Sequence, residues 1–83
     1  MKLLYFAWVR TRVGIGEETI DPPASVVDVA SLLDWLRTRS PGHEAALKDA
    51  KLVRVAVNQE FARPDRRLAA GDEVAIFPPV TGG

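Results

Sequence analysis

The 83-residue chain has no cysteine, a single histidine and a single methionine, and no surplus of either charge, because eleven lysines and arginines balance eleven aspartates and glutamates. Without cysteine there is no disulfide framework, thiolate nucleophile, iron–sulfur cluster or cysteine-based zinc site, and the chain suits a reducing compartment. Without a basic surplus, general nucleic-acid binding and membrane-surface binding are disfavoured. No metal site or bound cofactor is expected, since the lone His43 has no second ligand nearby in sequence and reads as a surface residue opening a short helix. Long apolar runs are also missing. The opening stretch from Met1 to Arg10 is too short to span a bilayer and lacks a small-residue cleavage site, so a cytoplasmic location is expected. With 47% hydrophobic residues over this length, one modest core and one domain over residues 1–83 are expected.

Hydrophobic patterning then orders the elements. The stretch from Met1 to Arg10 reads as a strand closed by the Gly14-Ile15-Gly16 turn. A weaker strand from Ile15 to Ile20 would complete a hairpin and stop at Asp21-Pro22-Pro23. From Asp28 the period changes. Val29, Leu32, Leu33 and Leu36 fall at i, i+3, i+4 and i+7, which predicts the one long helix, with Asp28 as N-cap and Ser40-Pro41-Gly42 as its stop. A short helical piece is expected around Glu44 to Lys48. Lys51 to Val57 reads as a strand ending in the Asn58-Gln59-Glu60 turn, and Glu73 to Phe77 as the last strand. The class is α+β: a mixed sheet packed on one main helix.

Side chains alternate faces along a strand, so charged positions mark the outer face. Lys2 and Arg10 share parity with Leu4, Phe6 and Trp8, leaving Leu3, Tyr5, Ala7 and Val9 for the core. Val53, Val55 and Val57 point inward opposite Arg54, and Val74 and Ile76 opposite Glu73. Leu4, Phe6, Trp8 and Phe77 would then form an outer apolar patch, which serves either as a partner surface or as the seat of a covering segment around Phe61.

The end of the chain carries most of the functional signal. Pro78-Pro79 must leave the sheet, because neither residue has an amide hydrogen. Pro78, Pro79, Val80, Thr81, Gly82 and Gly83 then form a free arm, residues 78–83, that reaches at most about 20 Å. Its two terminal glycines have no side chain to obstruct a narrow tunnel. Other candidates are weaker. Gly14-Ile15-Gly16 lacks the lysine and helix start of a phosphate loop. Arg63-Pro64-Asp65-Arg66-Arg67 is a basic cluster open to nucleotide phosphate or an acidic partner, though a solvated loop is the expected role in a neutral chain.

The ending Gly71-Asp72-Glu73-Val74-Ala75-Ile76-Phe77-Pro78-Pro79-Val80-Thr81-Gly82-Gly83, with Leu4-Tyr5-Phe6-Ala7, Val9-Arg10 and Val57-Asn58-Gln59, resembles the MoaD family of molybdopterin synthase small subunits over nearly the whole length. The resemblance implies a ubiquitin-like β-grasp fold and a non-catalytic sulfur carrier. Gly83 would be adenylated by an ATP-dependent E1-like adenylyltransferase. A sulfur donor such as a cysteine desulfurase or rhodanese would convert it to a thiocarboxylate, the sulfur source for making molybdopterin from cyclic pyranopterin monophosphate in the large subunit. It also implies that Gly82 and Thr81 line the entry to the partner's site, that Phe6 and Phe77 make apolar contacts and Arg10 a polar one with the large subunit, and that the complex is a heterotetramer. Trp8 departs from the polar residue expected there. Related Gly-Gly carriers of thiamine, tRNA-thiolation or cysteine pathways, a ubiquitin-like protein modifier and a plain interaction module remain the alternatives.

Overall fold

The computed structural model describes residues 1–79; the expectations for Val80, Thr81, Gly82 and Gly83 lie outside the described residues. Strand β1 (Lys2–Tyr5) is followed by α1 (Ala7–Val13) and β2 (Glu17–Thr19), then by α2 (Val29–Leu36) and α3 (Pro41–Leu47). A 3₁₀ turn (Ala50–Leu52) leads into β3 (Arg54–Val57), β4 (Glu60–Phe61) and β5 (Glu73–Phe77). The strands form one mixed sheet in the order β2-β1-β5-β3-β4. β1 and β5 run parallel at its centre, and the other pairs are antiparallel.

The first strand is shorter than its apolar run suggests. Pairing between β1 and β5 ends at Tyr5↔Ile76, and the next amide, Phe6 N–H, donates to the Ile76 carbonyl at 3.1 Å. Ala7 then takes a left-handed φ of 53° and the chain turns into α1. Arg10 and Arg12 occupy the last turn of that helix, where cations oppose its dipole. Gly14, at φ 100°, closes the helix with its N–H on the Arg10 carbonyl at 2.8 Å. Gly14 is therefore a helix cap, and β1 and β2 pair antiparallel across an intervening helix, not across a tight hairpin turn. Trp8 consequently leaves the outer face of the sheet: it lies on α1, half-buried against the core, with the Arg12 guanidinium 4.6 Å from its ring centroid. Ala7 is exposed, while Leu3, Tyr5 and Val9 are buried as expected.

The expected long helix forms, shorter than its stop signal implied. Asp28 Oδ1 accepts from Ser31 N–H at 2.8 Å and Ser31 Oγ accepts from Asp28 N–H at 3.0 Å, a reciprocal cap; the Ser31 hydroxyl, 2.7 Å from Asp28 Oδ1, and the Ser31 N–H together hold the Asp28 carboxyl below the usual carboxylate range. Val29, Leu32, Leu33 and Leu36 are its buried stripe. Ser40-Pro41 ends nothing by itself; it starts α3, with Ser40 as N-cap and Pro41 in the first turn, where its missing N–H costs no helical bond. The main helix thus has two companions, and α1 and α3 pack closely. A Cβ on Gly42 would lie 2.5 Å from the Arg12 carbonyl oxygen. Lys51 and Leu52 lie in the 3₁₀ turn, so β3 starts three residues later than its apolar run suggested. The core beneath the sheet includes Leu3, Tyr5, Val57, Val74 and Ile76, the alternation anticipated from charge.

The basic segment after β4 acquires a structural role. The Pro64 and Arg66 carbonyls accept from Ala30 and Val29 N–H at 2.9 and 3.1 Å, so backbone from this loop satisfies amides that begin α2.

Candidate functional site

β5 occupies the middle of the sheet, paired on both sides by β1 and β3. Its last residue, Phe77, is opposite Arg54, and from there the chain continues through half-buried Pro78 and exposed Pro79. The arm's origin is consequently held by two neighbouring strands, and its first two residues cannot extend the ladder. At the other end of β5, Asn58 acts as a clip. Its N–H donates to the Glu73 carbonyl at 2.8 Å, its Oδ1 accepts from Glu73 N–H and its Nδ2 donates to Asp72 Oδ1, each at 3.0 Å. Asp72 Oδ2 also accepts from Ala69 N–H at 2.8 Å; this bond and the one from Asn58 hold its carboxyl below the usual range. Asn58 and Gln59 both have positive φ, 52° and 71°, so the expected turn is a left-handed pair joining β3 to β4.

Register defines the outer face. Leu4 is opposite Ala75, Ala75 opposite Ala56, and Ala56 opposite Phe61, giving one apolar row across four strands. Phe77 stands one step of the same parity beyond Ala75, and its ring meets that of Phe61 with centroids 5.9 Å apart. Phe61 is 83% exposed and Phe6 48%, so the segment around Phe61 extends the patch and does not shield it.

Phe6 and Arg10 do come together, by a different route from the one expected. Phe6 N-caps α1 and Arg10 lies one turn later, with its N–H directed at the Phe6 carbonyl at 3.4 Å. The two line a surface cleft of about 410 Å³ with Leu4, Gly16 and Glu17. The Arg10 guanidinium lies so close over Gly16 that a Cβ there would be 3.1 Å from it. Phe6 and Arg10 therefore border a cleft on the β2 side of Leu4, whereas Phe77 stands on the β5 side of it. Phe61, which entered only through the alternative of a covering segment, is the added member of the apolar patch; its parity with Ala56, after the Asn58-Gln59 turn, is the signal that places it.

The lone histidine is also corrected. His43 is buried at 6% exposure. Its Nδ1 is 2.7 Å from Ser40 Oγ, and its Nε2 is 2.7 Å from Glu18 Oε2. Tyr5 O–H donates to the same Glu18 oxygen at 2.7 Å, and Arg39 lies 3.6 Å from the other. An ionised Glu18 can only accept, so Nε2 carries the hydrogen. Burial alone would raise the Glu18 carboxyl; the bonds from His43 and Tyr5 and the nearby Arg39 guanidinium outweigh it and bring it below the usual range. Burial, with the bond to Glu18, pushes the Tyr5 phenol strongly upward, so it stays protonated. The cluster joins β1, β2 and α3 on the core side of the sheet.

An apolar sheet face beside a tail that leaves the central strand defines a class: small carriers of the ubiquitin-like β-grasp type. Solved structures share the architecture. A molybdopterin converting factor subunit 1 from Pyrococcus furiosus matches with TM-score 0.79 at 33% identity, covering 95% of each chain. Small archaeal modifier protein 1 of Haloferax volcanii matches with TM-score 0.74 at 29% identity over 96% of this chain and 97% of that one. In sequence, the molybdopterin synthase sulfur carrier subunit of Escherichia coli is 42% identical over 83 residues, covering 100% of this chain and 99% of the relative. The ThiS family profile matches residues 3–83, and the chain belongs to that family.

Proposed function

We propose that this protein is the sulfur-carrying small subunit of a molybdopterin synthase, with Gly83 as the residue that holds the sulfur. The observation that carries the reading is the root of the arm: the central strand delivers Phe77 and Pro78-Pro79 beside an exposed apolar face, and sequence relatives aligned over their full length are named molybdopterin synthase sulfur carrier subunits. A terminal α-carboxylate is ionised at neutral pH, with a pKa of about 3.3–3.7, and is a poor electrophile. An E1-like enzyme would use ATP to form the Gly83 acyl-adenylate; a persulfide on a cysteine desulfurase or rhodanese would displace AMP to give an acyl disulfide, and a further thiol would reduce its S–S bond, itself ending as a disulfide, to leave the thiocarboxylate. Phe6, Phe61, Phe77 and Arg10 would dock the large subunit, and the arm from Pro78 to Gly83 would enter its site and give up the sulfur to cyclic pyranopterin monophosphate. The chain supplies the carried atom and its placement; acid, base and phosphate contacts belong to the partners. The assembled enzyme would be a heterotetramer in the cytoplasm, and no helix among the described residues is long and apolar enough to cross a membrane.

Intact mass of the protein co-expressed with its activating enzyme and sulfur source tests this. One sulfur should replace one oxygen at Gly83, and deletion of Gly83 should abolish charging while leaving the thermal melt unchanged. Persistence of the plain carboxylate under conditions that charge a known carrier would refute the reading. The likeness to a small archaeal modifier favours a second reading, conjugation through Gly83 to lysines of other proteins. Gly83-dependent lysine conjugates on a blot, with no transfer of sulfur to the pterin precursor, would select it.

A further inference from the structure

The carrier chemistry leaves one cluster of titratable and nucleophilic side chains unused. As N-cap of α3, Ser40 needs only to accept a hydrogen bond, which it does from His43 N–H at 3.1 Å. That bond uses the main chain of residue 43 and would form with any side chain there. The side chain is nevertheless an imidazole, with Nδ1 2.7 Å from the same Ser40 Oγ and Nε2 2.7 Å from Glu18 Oε2. Capping alone does not call for it.

The acceptors fix where the hydrogens lie. With Nε2–H directed at the Glu18 carboxylate, the neutral imidazole has only a lone pair at Nδ1, so the Ser40 hydroxyl donates to it. The serine oxygen has two lone pairs; His43 N–H takes one, and no donor among the described residues takes the other. Hydroxyl, imidazole and carboxylate therefore stand in series, as nucleophile, base and base-orienting group do in acyl-transfer sites. The far end of the series is well anchored. Tyr5 O–H donates to Glu18 at 2.7 Å, Arg39 lies 3.6 Å from its other oxygen, and the Tyr5 ring meets the imidazole edge-on with centroids 5.9 Å apart. The imidazole is buried, whereas Ser40 is only half-buried.

We propose that Ser40 is a nucleophilic modification site that takes an acyl group from an activated ester or thioester, with His43 as general base and Glu18 as the residue that positions it. Ser40 Oγ forms its bond to the acyl carbon while the hydroxyl hydrogen passes to His43 Nδ1. The bond to the leaving group then breaks, and the proton follows onto the departing oxygen or sulfur. Between these steps the imidazolium is balanced by the Glu18 carboxylate. The next residue, Pro41, has no N–H, so the main-chain donor that commonly steadies the oxyanion in such sites is missing. The outcome is one lasting acylation, not turnover.

The test treats the full-length protein with p-nitrophenyl acetate at neutral pH, locates acetyl groups by peptide mapping, and reads the imidazole nitrogens of untreated protein by NMR. Ser40 should gain an acetyl ester ahead of Ser25, Ser31 and every threonine. S40N, whose side chain also caps a helix, should lose that ester and keep the parent's amide spectrum. H43Q should slow the acetylation by about 100-fold, the scale of general-base assistance. In the parent, Nε2 should bear the hydrogen. E18Q, whose amide offers a donor as well as an acceptor, should slow the acetylation and let the hydrogen spread over both ring nitrogens, a signature that a merely structural role would not produce. An unmodified Ser40, a rate in H43Q within about tenfold of the parent's, or an E18Q as fast as the parent would each overturn the proposal. So would a parent hydrogen on Nδ1, an outcome that requires no variant to fold. None of these measurements involves Gly83 or sulfur, so their outcome is separate from that of the carrier function.

Discussion

At the scale of single residues, close contact sets the demands. Gly42 is required by the approach of α3 to α1, since a Cβ there would lie 2.5 Å from the Arg12 carbonyl oxygen and 2.9 Å from that of Val13. Both are main-chain atoms, so relief requires one helix to shift. Gly42→Ala gains at most about 1 kcal/mol of helix propensity, against about 1–3 kcal/mol for overpacking. A net loss of about 1–2 kcal/mol is expected, read as a melting temperature lower by several degrees. A variant as stable as the parent would show that the two helices are not held at this spacing. Asn58 illustrates the opposite economy: one residue tolerates a left-handed φ of 52° and ties the hairpin to the start of β5.

At the scale of elements, Glu18 links three of them. It lies on β2, takes hydrogen bonds from Tyr5 on β1 and His43 on α3, and faces Arg39. Because its folded pKa is below its ordinary value, ionised Glu18 stabilises the fold. That contribution is complete above the ordinary glutamate range, near pH 4.3, and is lost as pH falls through the lower folded value. Glu18→Gln should therefore be less stable than the parent at pH 7, with the gap narrowing towards pH 3 in denaturant titrations. A gap of constant size across that range would mean that the carboxylate charge contributes nothing.

At the scale of the whole molecule, the sheet has two faces with different tasks. One is sealed by the helices; the other leaves Leu4, Phe61 and Phe77 around the root of the arm. Phe61, at 83% exposure, makes the cleanest probe. Phe61→Asp should change stability by no more than about 0.5 kcal/mol, as for surface substitutions generally. If it is a principal anchor, affinity for the large subunit should fall by about 30-fold or more in calorimetric titration, equivalent to about 2 kcal/mol. Unchanged affinity would remove Phe61 from the docking surface.

Much of this was legible from local chemistry. Asp28 with its apolar stripe specifies α2, alternation specifies the inward residues of β3 and β5, and Asn58-Gln59 specifies a turn, because each depends on neighbours within a few positions. The double proline after Phe77 likewise shows where the sheet must release the chain. Other features depended on distant partners. A run such as Tyr5 to Val9 fits strand or helix, and it is the end of pairing with β5 at Ile76 that turns it into α1. His43 carries no sequence mark of burial; Glu18, 25 positions away, makes it possible. The sequence by itself determined which faces are apolar, that no thiol could serve as a reactive group, and where the arm begins. Only the tertiary structure decided that the arm starts from the central strand, that Phe61 joins Phe77, and that His43 is buried against Glu18, because strand order and helix packing arise from contacts between residues far apart in the chain.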